Sequence, residues 1–115
     1  MKITYFFFSL TFLIFFSCSK DKVPEINSNL DLSAVSYSKN VQPIIQAKCI
    51  QCHSAGNEGV ELYDYDHVAK AAVSGQLTGC LTGNTSYLSM PIGSTLDSIQ
   101  VKTFVNWVDQ GFQDN

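Results

Sequence analysis

The apolar residues of this 115-residue chain are concentrated at its N-terminus, and this limits what the remainder can fold into. In the segment 1–17, twelve positions hold Met, Ile, Leu, Phe or Tyr, and six of the eight phenylalanines lie there. The rest of the chain, 18–115, therefore holds fewer core-forming side chains than the overall hydrophobic content of 45% indicates. A chain of this length makes at most one domain, and one so small buries only a marginal core unaided. We expect one small domain whose core is completed by a bound group.

The segment 1–17 has the pattern of a targeting signal. Lys2 gives a positive start, and a predominantly apolar run follows at Tyr5–Phe16. That run is too short to span about 30 Å of hydrocarbon, but it has the length of a signal-peptide core. The Phe-Phe-Ser-Cys sequence ending at Cys18 resembles the bacterial lipobox. We predict a lipoprotein signal peptide at residues 1–17 and lipidation of Cys18, the alternative being an ordinary secretory signal.

Residues 18–37 are predicted to be the lipidated cysteine and a flexible tether. The segment Ser19–Val35 is polar, contains Pro24 and shows no sustained helical or strand period. A flexible segment of that length has an r.m.s. reach of roughly 20 to 25 Å. We expect an exported protein, anchored by lipid to a bacterial membrane and facing the periplasm or the cell surface.

Two segments of the remaining chain, residues 38–115, carry short helix signals. The first has Asn40 as a possible N-cap and Pro43 in the first turn, and it continues to Lys48. The second, Asp64–Ser74, has acidic residues at its start and a glycine after its end. Both predict helices of two to three turns.

A third predicted helix, near the C-terminus, is the clearest. Asp97 and Gln100 have the spacing of a capping box, and apolar residues follow at helical spacing up to Gly111. Residues 54–59 and 74–94 are rich in Gly, Ser, Thr and Asn and are predicted to be loops. Without an internal repeat or a period-two strand pattern, the predicted fold class is all-α with long loops.

Cys49-Ile50-Gln51-Cys52-His53 is the most specific motif of the chain. Its C-x-x-C-H pattern is the attachment motif of c-type haem. Thiols at positions i and i+3 can reach the two vinyl groups on one edge of a porphyrin, and the adjacent histidine falls under the iron. We therefore predict one covalent haem c, joined to Cys49 and Cys52 and ligated by His53.

Other interpretations of the two cysteines have less support. A thioredoxin-like redox pair needs a preceding strand, whereas a helix is predicted here. Structural zinc needs four ligands, and the spare donors Cys80 and His67 are far apart in the sequence. A disulfide between residues three apart is a further alternative. Cys80 has no assigned partner, so it is either a small packing residue or a thiol open to oxidation.

Met90 is the predicted sixth ligand of the iron. It is the only methionine left once Met1 is removed with the signal, and Pro91 follows it in a loop downstream of the haem motif. The alternatives are that Met90 only fills a gap in the core, that His67 ligates instead, or that the distal site is open. Histidine on both sides would lower the redox potential relative to His/Met ligation.

Six further segments accompany the haem motif and contribute to a resemblance with a known family. In chain order, these are Val41-Gln42-Pro43-Ile44, Gly59–Tyr65, Met90-Pro91-Ile92-Gly93, Leu96-Asp97, Trp107-Val108-Asp109 and Gly111. With the motif they resemble a small class I-type cytochrome c domain of bacterial exported proteins. The resemblance covers residues 38–115 and implies a cytochrome c-like helical domain around one covalent haem, with His53 and Met90 as axial ligands.

The expected function is electron transfer between redox protein partners by a membrane-anchored monohaem cytochrome, which is not an enzyme. The alternatives are a haem enzyme or sensor with a labile sixth ligand, and a haem subunit of a larger complex. Residues 18–115 hold six lysines, no arginine and ten acidic side chains, a formal charge of −4. A nucleic-acid partner is therefore not expected, because phosphate-backbone binding needs a basic stripe. The oligomeric state stays open.

Two clusters of side chains are expected near the haem. Six aromatic residues are expected to pack around the porphyrin: Tyr63, Tyr65, Tyr87, Phe104, Trp107 and Phe112. Four acidic residues lie close to the motif in sequence: Glu58, Glu61, Asp64 and Asp66. This acidic cluster is either a solvated face or a docking patch for a basic partner.

Overall fold

A computed structural model of the chain describes residues 31–57 and 59–115. The predicted signal peptide, the lipidation site Cys18 and most of the predicted tether lie outside these residues, as does Glu58. The described residues form helices and loops and contain no strand. The all-α prediction is confirmed for this part of the chain.

Within residues 31–57 and 59–115, five α-helices follow a short π-helical segment. The elements are the π segment Tyr37–Val41, α1 Gln42–Lys48, α2 Ile50–His53, α3 Tyr65–Val73, α4 Gln76–Thr82 and α5 Ser98–Asp109. The π segment packs on α1 and α5, α2 continues from α1, and α4 packs between α3 and α5. Over the described ranges, no helix is both long enough and apolar enough to cross a membrane.

Two predicted helix starts are confirmed by their caps. The Asp64 side chain accepts a hydrogen bond from the His67 backbone N–H at the start of α3, at 3.0 Å. At the start of α5 the capping box is complete: Asp97 accepts from the Gln100 N–H at 2.8 Å, and the Gln100 side chain accepts from the Asp97 N–H at 3.0 Å. Both caps satisfy N–H groups that a helix leaves unpaired at its first turn.

The start of the first helical segment differs from the prediction. Ser36, and not Asn40, is the N-cap, and its hydroxyl accepts from the Lys39 N–H at 3.3 Å. The Asn40 side chain instead accepts from the Ser36 N–H at 2.8 Å and lies inside the π segment that precedes α1. Val35 and Tyr37 are buried in the core. The last residues assigned to the tether therefore belong to the packed domain.

Helix α4 lies inside the segment that was predicted to be a loop. Gly75 and Gly83, both with φ of +75°, bound this seven-residue helix. So short a helix is marginal by itself and depends on packing. Its Leu77 and Gly79 are buried between α3 and α5. Tertiary contacts therefore override the local loop signals of glycine and threonine.

The centre of the core is Trp107, which is fully buried in α5. Its ring lies 5.8 Å from that of Tyr37, 6.3 Å from that of Tyr65 and 6.0 Å from that of Phe112, measured between ring centroids. The indole N–H donates to the Gln113 carbonyl at 3.0 Å. These contacts join the C-terminal tail to the π segment and α3.

Candidate functional site

A cavity of about 550 Å³ lies among α2, α4, α5 and the loop at Met90–Ser94. All four side chains predicted to hold the haem line it: Cys49, Cys52, His53 and Met90. Met90 lies far from the other three in the sequence, so the fold and not the motif brings the methionine to the cysteines. The volume lies within the range of about 300 to 1,000 Å³ usual for ligand and cofactor pockets.

His53 is oriented by the loop that follows it. Its Nδ1 lies 2.6 Å from the carbonyl oxygen of Val60. Because a carbonyl oxygen can only accept, the proton is on Nδ1, and the lone pair of Nε2 is left for a metal. The Leu62 N–H also donates to the His53 carbonyl, at 2.8 Å. The 60–62 segment thus holds both the ring and the backbone of His53.

Cys49 and Cys52 are free thiols held on one turn of helix. The N–H groups of Cys52 and His53 both donate to the Cys49 carbonyl, at 3.1 and 3.0 Å. Side chains three residues apart on a helix lie on the same face, so both thiols line the cavity. Cys49 is half-buried and Cys52 is exposed. Burial raises the pKa of the Cys49 thiol to about 11.

Met90 is half-buried and lines the cavity from the loop that follows α4. Its backbone N–H donates to the carbonyl of Cys80 in α4 at 3.1 Å. This hydrogen bond fixes the start of the Met90–Ser94 loop against α4. Cys80, predicted to be a packing residue or a reactive thiol, lines the same cavity.

The rest of the cavity wall is mainly apolar. Seven of its side chains are aliphatic or aromatic: Val60, Leu62, Ala71, Leu77, Leu81, Ile92 and Phe104. Lys48 is the one lining side chain with a formal charge in the part of the chain that the structure describes. Two thiols, an imidazole with free Nε2 and a thioether in an apolar cavity are the chemical groups that could hold a haem through thioether bonds and two iron ligands.

The expectation that six aromatic residues surround the haem needs correction. Only Phe104 of the six lines the cavity. Trp107, Tyr65 and Phe112 instead form the aromatic centre of the core together with Tyr37. Helix α5 has apolar side chains facing both regions, and helical spacing alone does not tell which of them faces a cofactor.

His67, the rival ligand, does not line the cavity. Its Nδ1 lies 2.6 Å from Asp64 Oδ1, its Nε2 lies 3.4 Å from Glu61 Oε2, and its ring stacks on Tyr63 at 4.3 Å between centroids. Two members of the acidic cluster therefore contact this imidazole. No three His, Cys, Asp or Glu side chains of residues 31–57 and 59–115 come together as a metal-binding group.

Two elements of the site were missed from the sequence. One is the Val60 carbonyl that orients His53, a backbone group without a residue signature. The other is the wall that α4 provides through Leu77 and Leu81. These two leucines are four residues apart between two glycines, a pattern that fits one face of a short helix.

The chain was compared with protein-family models, with curated proteins and with solved structures, and none of them matched it.

Replacing Asp64 with asparagine is expected to weaken the dependence of stability on acid pH. The backbone N–H of His67 first, and its imidazole second, bind the Asp64 carboxylate and lower its pKa. A lowered pKa in the folded state adds stability above the unfolded value of about 4, and this is lost as pH falls through the folded pKa. Asparagine still caps a helix but does not titrate.

Urea unfolding of wild type and Asp64→Asn from pH of about 2 to about 6 measures this difference. Wild type should be the more stable protein above pH of about 4, and the gap should close below it. Asp109→Asn, at an exposed carboxylate that ends α5, is the matched control. If the difference in free energy of unfolding between the two proteins is constant across the whole pH range, the lowered pKa of Asp64 is contradicted.

Proposed function

We propose that the protein is a monohaem c-type cytochrome that transfers single electrons between redox protein partners. Cys49 and Cys52 would hold the haem through thioether bonds, and His53 and Met90 would be its axial ligands. The supporting observation is that the motif side chains and the distant methionine line one apolar cavity. When bound, a haem supplies one-electron exchange between ferrous and ferric iron.

The chain's own residues contribute to such a site in three ways. The Val60 carbonyl keeps the proton on Nδ1 of His53, so Nε2 stays available and the ring keeps its orientation. The apolar wall excludes water, which influences the redox potential. Ligation by the Met90 thioether would raise the potential relative to a second histidine. This arrangement favours a stable electron carrier.

The cavity favours an electron carrier over a haem enzyme. Ligation by both His53 and Met90 would leave no iron position for a substrate. Peroxide or hydrolytic chemistry also needs a group that donates and accepts protons at the reacting atoms. Within the described ranges, His53 is the only imidazole that lines the cavity, and the sequence contains no arginine.

We also propose that the domain acts outside the cytoplasm, attached by lipid at Cys18. The support is the sequence pattern of residues 1–18, in which a positive start and an apolar run precede a serine and a cysteine. Haem attachment to a C-x-x-C-H motif requires export to the compartment where the ligation machinery works. The lipoprotein signal and the haem motif therefore both support a location outside the cytoplasm.

Replacing Met90 with alanine in the haem-loaded protein tests the proposed ligation. Ferric wild type should show the weak red charge-transfer band of methionine sulfur on iron, and Met90→Ala should lack it. The redox potential of the variant should fall, because methionine raises it. Leu88→Ala is the matched control, since Leu88 lies in the same loop, is 66% exposed and does not line the cavity.

An open distal site would give a different spectrum and different ligand binding. A wild-type protein that is high-spin when ferric and binds carbon monoxide rapidly when reduced would have an open distal site. That outcome would reject the electron carrier and support a haem enzyme or sensor.

A further inference from the structure

Tyr87 lies directly against the backbone of α4 at Gly79. Gly79 is buried, and a Cβ built on it would overlap the Tyr87 ring, with the ring carbon Cε2 at 2.6 Å and Cγ at 3.2 Å. Gly79 is not among the residues with positive φ, so its backbone conformation does not require glycine. Alanine is also the better helix former of the two residues. The aromatic ring is therefore the reason why this position has no side chain.

The loop that starts after α4 is also hydrogen-bonded back to the end of this helix. The Asn84 N–H donates to the Gly79 carbonyl at 3.1 Å, and the Met90 N–H donates to the next carbonyl, that of Cys80, at 3.1 Å. The last carbonyls of a helix lack partners within it. The loop supplies these partners here, so Asn84 and Met90, on either side of Tyr87 in the sequence, are both hydrogen-bonded to α4.

We propose that Gly79 and Tyr87 are positioning residues for Met90, and that their contact determines whether the distal side of the cavity is closed by the Met90 thioether or open to a small ligand such as carbon monoxide. The inference rests on the proposed haem function, which it extends to residues that do not touch the haem. Tyr87 does not line the cavity, so it acts through the loop.

The overlap at Gly79 involves the inner part of the Tyr87 ring as well as its edge. Cγ, the ring atom nearest the backbone, is among the three closest atoms, so a methyl group at position 79 has to displace the whole ring. Met90 follows only three residues later, and the one hydrogen bond between its backbone and α4 would be weakened with it. The backbone conformation at position 79 tolerates alanine. An effect of Gly79→Ala on Met90 would therefore come from the displaced Tyr87 ring and not from unfolding of α4.

The test compares Gly79→Ala with wild type in the full, haem-loaded chain. Covalent haem should be retained, while the red charge-transfer band is lost and the reduced protein gains rapid carbon monoxide binding. The exchange rate of the Met90 amide hydrogen should rise about tenfold or more, with α5 amides unchanged. Thr82→Ala, at an exposed position of the same helix, and Tyr87→Phe, which keeps the ring, should resemble wild type.

A second set of variants tests the same contact from the Tyr87 side, so that the test does not depend on Gly79→Ala alone. Tyr87→Ala creates no overlap but removes the contact, so it should also open the distal side and speed exchange of the Met90 amide. In that background Gly79→Ala should have no further effect, because no ring is left to displace. If Gly79→Ala fails to fold, Tyr87→Ala alone gives the same test.

The inference is overturned if Gly79→Ala or Tyr87→Ala keeps the charge-transfer band, excludes carbon monoxide and shows wild-type exchange at Met90. Failure of the proposed function looks different, because the wild-type protein itself would then carry no covalent haem or lack methionine ligation. Exchange of the Met90 amide needs no haem signal, so it tests the Gly79–Tyr87 contact in either case.

Discussion

Replacing Trp107 with alanine is expected to lower the free energy of unfolding by about 3 to 5 kcal/mol. The side chain is fully buried, its ring packs against those of Tyr37, Tyr65 and Phe112, and its N–H donates to the Gln113 carbonyl. Alanine leaves a cavity and removes one of the two donors to the Gln113 carbonyl, which also accepts from the Tyr37 N–H. Because small domains have total stabilities of about 5 to 15 kcal/mol, this is a large part of the whole.

Urea unfolding followed by circular dichroism measures the loss. Val73→Ala is the control, since Val73 lies on α3 and is 70% exposed, and its effect should stay within about 0.5 kcal/mol. Trp107→Phe keeps a ring but removes the indole donor, so it should fall between wild type and Trp107→Ala. A Trp107→Ala protein as stable as Val73→Ala would mean that the aromatic cluster is not the centre of the core.

Replacing Cys49 and Cys52 together with alanine is expected to abolish covalent attachment of haem. In the proposed attachment each thiol would add across one vinyl double bond: a sulfur–carbon bond would form, the S–H hydrogen would go to the neighbouring carbon, and no atom or electron would be lost. The mass of the wild-type chain should therefore increase by that of one intact haem. Mass spectrometry under denaturing conditions, which remove any haem held by ligation alone, should find no increase in the double variant.

Cys80→Ala is the matched control for this experiment, because Cys80 lines the same cavity but lies outside the motif. It should retain the full mass increase. Single variants of Cys49 or Cys52 should keep one thioether and thus the same added mass, with a shifted absorption spectrum. Loss of covalent haem in Cys80→Ala with retention in the double variant would reject the assignment of the two cysteines.

Helix ends were predictable where a side chain supplies the cap. Asp64 and Asp97 cap α3 and α5 as their sequence positions indicate, since these hydrogen bonds join residues three apart. Asn40 was misassigned because its side chain accepts from the Ser36 N–H, and any of several polar residues there could cap the turn. Helix α4 was missed because the reason for Gly79 is Tyr87, a contact that closes only in the folded chain.

Four residues that line the cavity were predictable from the sequence, but its walls were not. Cys49, Cys52 and His53 follow from spacing, and Met90 follows from being the one methionine outside the predicted signal peptide. The structure brings these four side chains to one cavity. Which apolar residues face that cavity was not predictable, because α5 has Phe104 on the cavity and Trp107 in the aromatic core only three residues later.

The hydrogen bonds around the cavity also bear on the order in which the protein assembles. The His53 side of the cavity is held by contacts of short sequence separation, seven residues from His53 to Val60, and the Met90 side by ten residues from Cys80 to Met90. Bringing the two sides together closes the far longer loop from Cys52 to Met90. Contacts of low separation are expected to form first, because longer loops cost more entropy to close. The two thiols and His53 would then be organised before Met90 joins them, which would leave them accessible during the proposed attachment of haem.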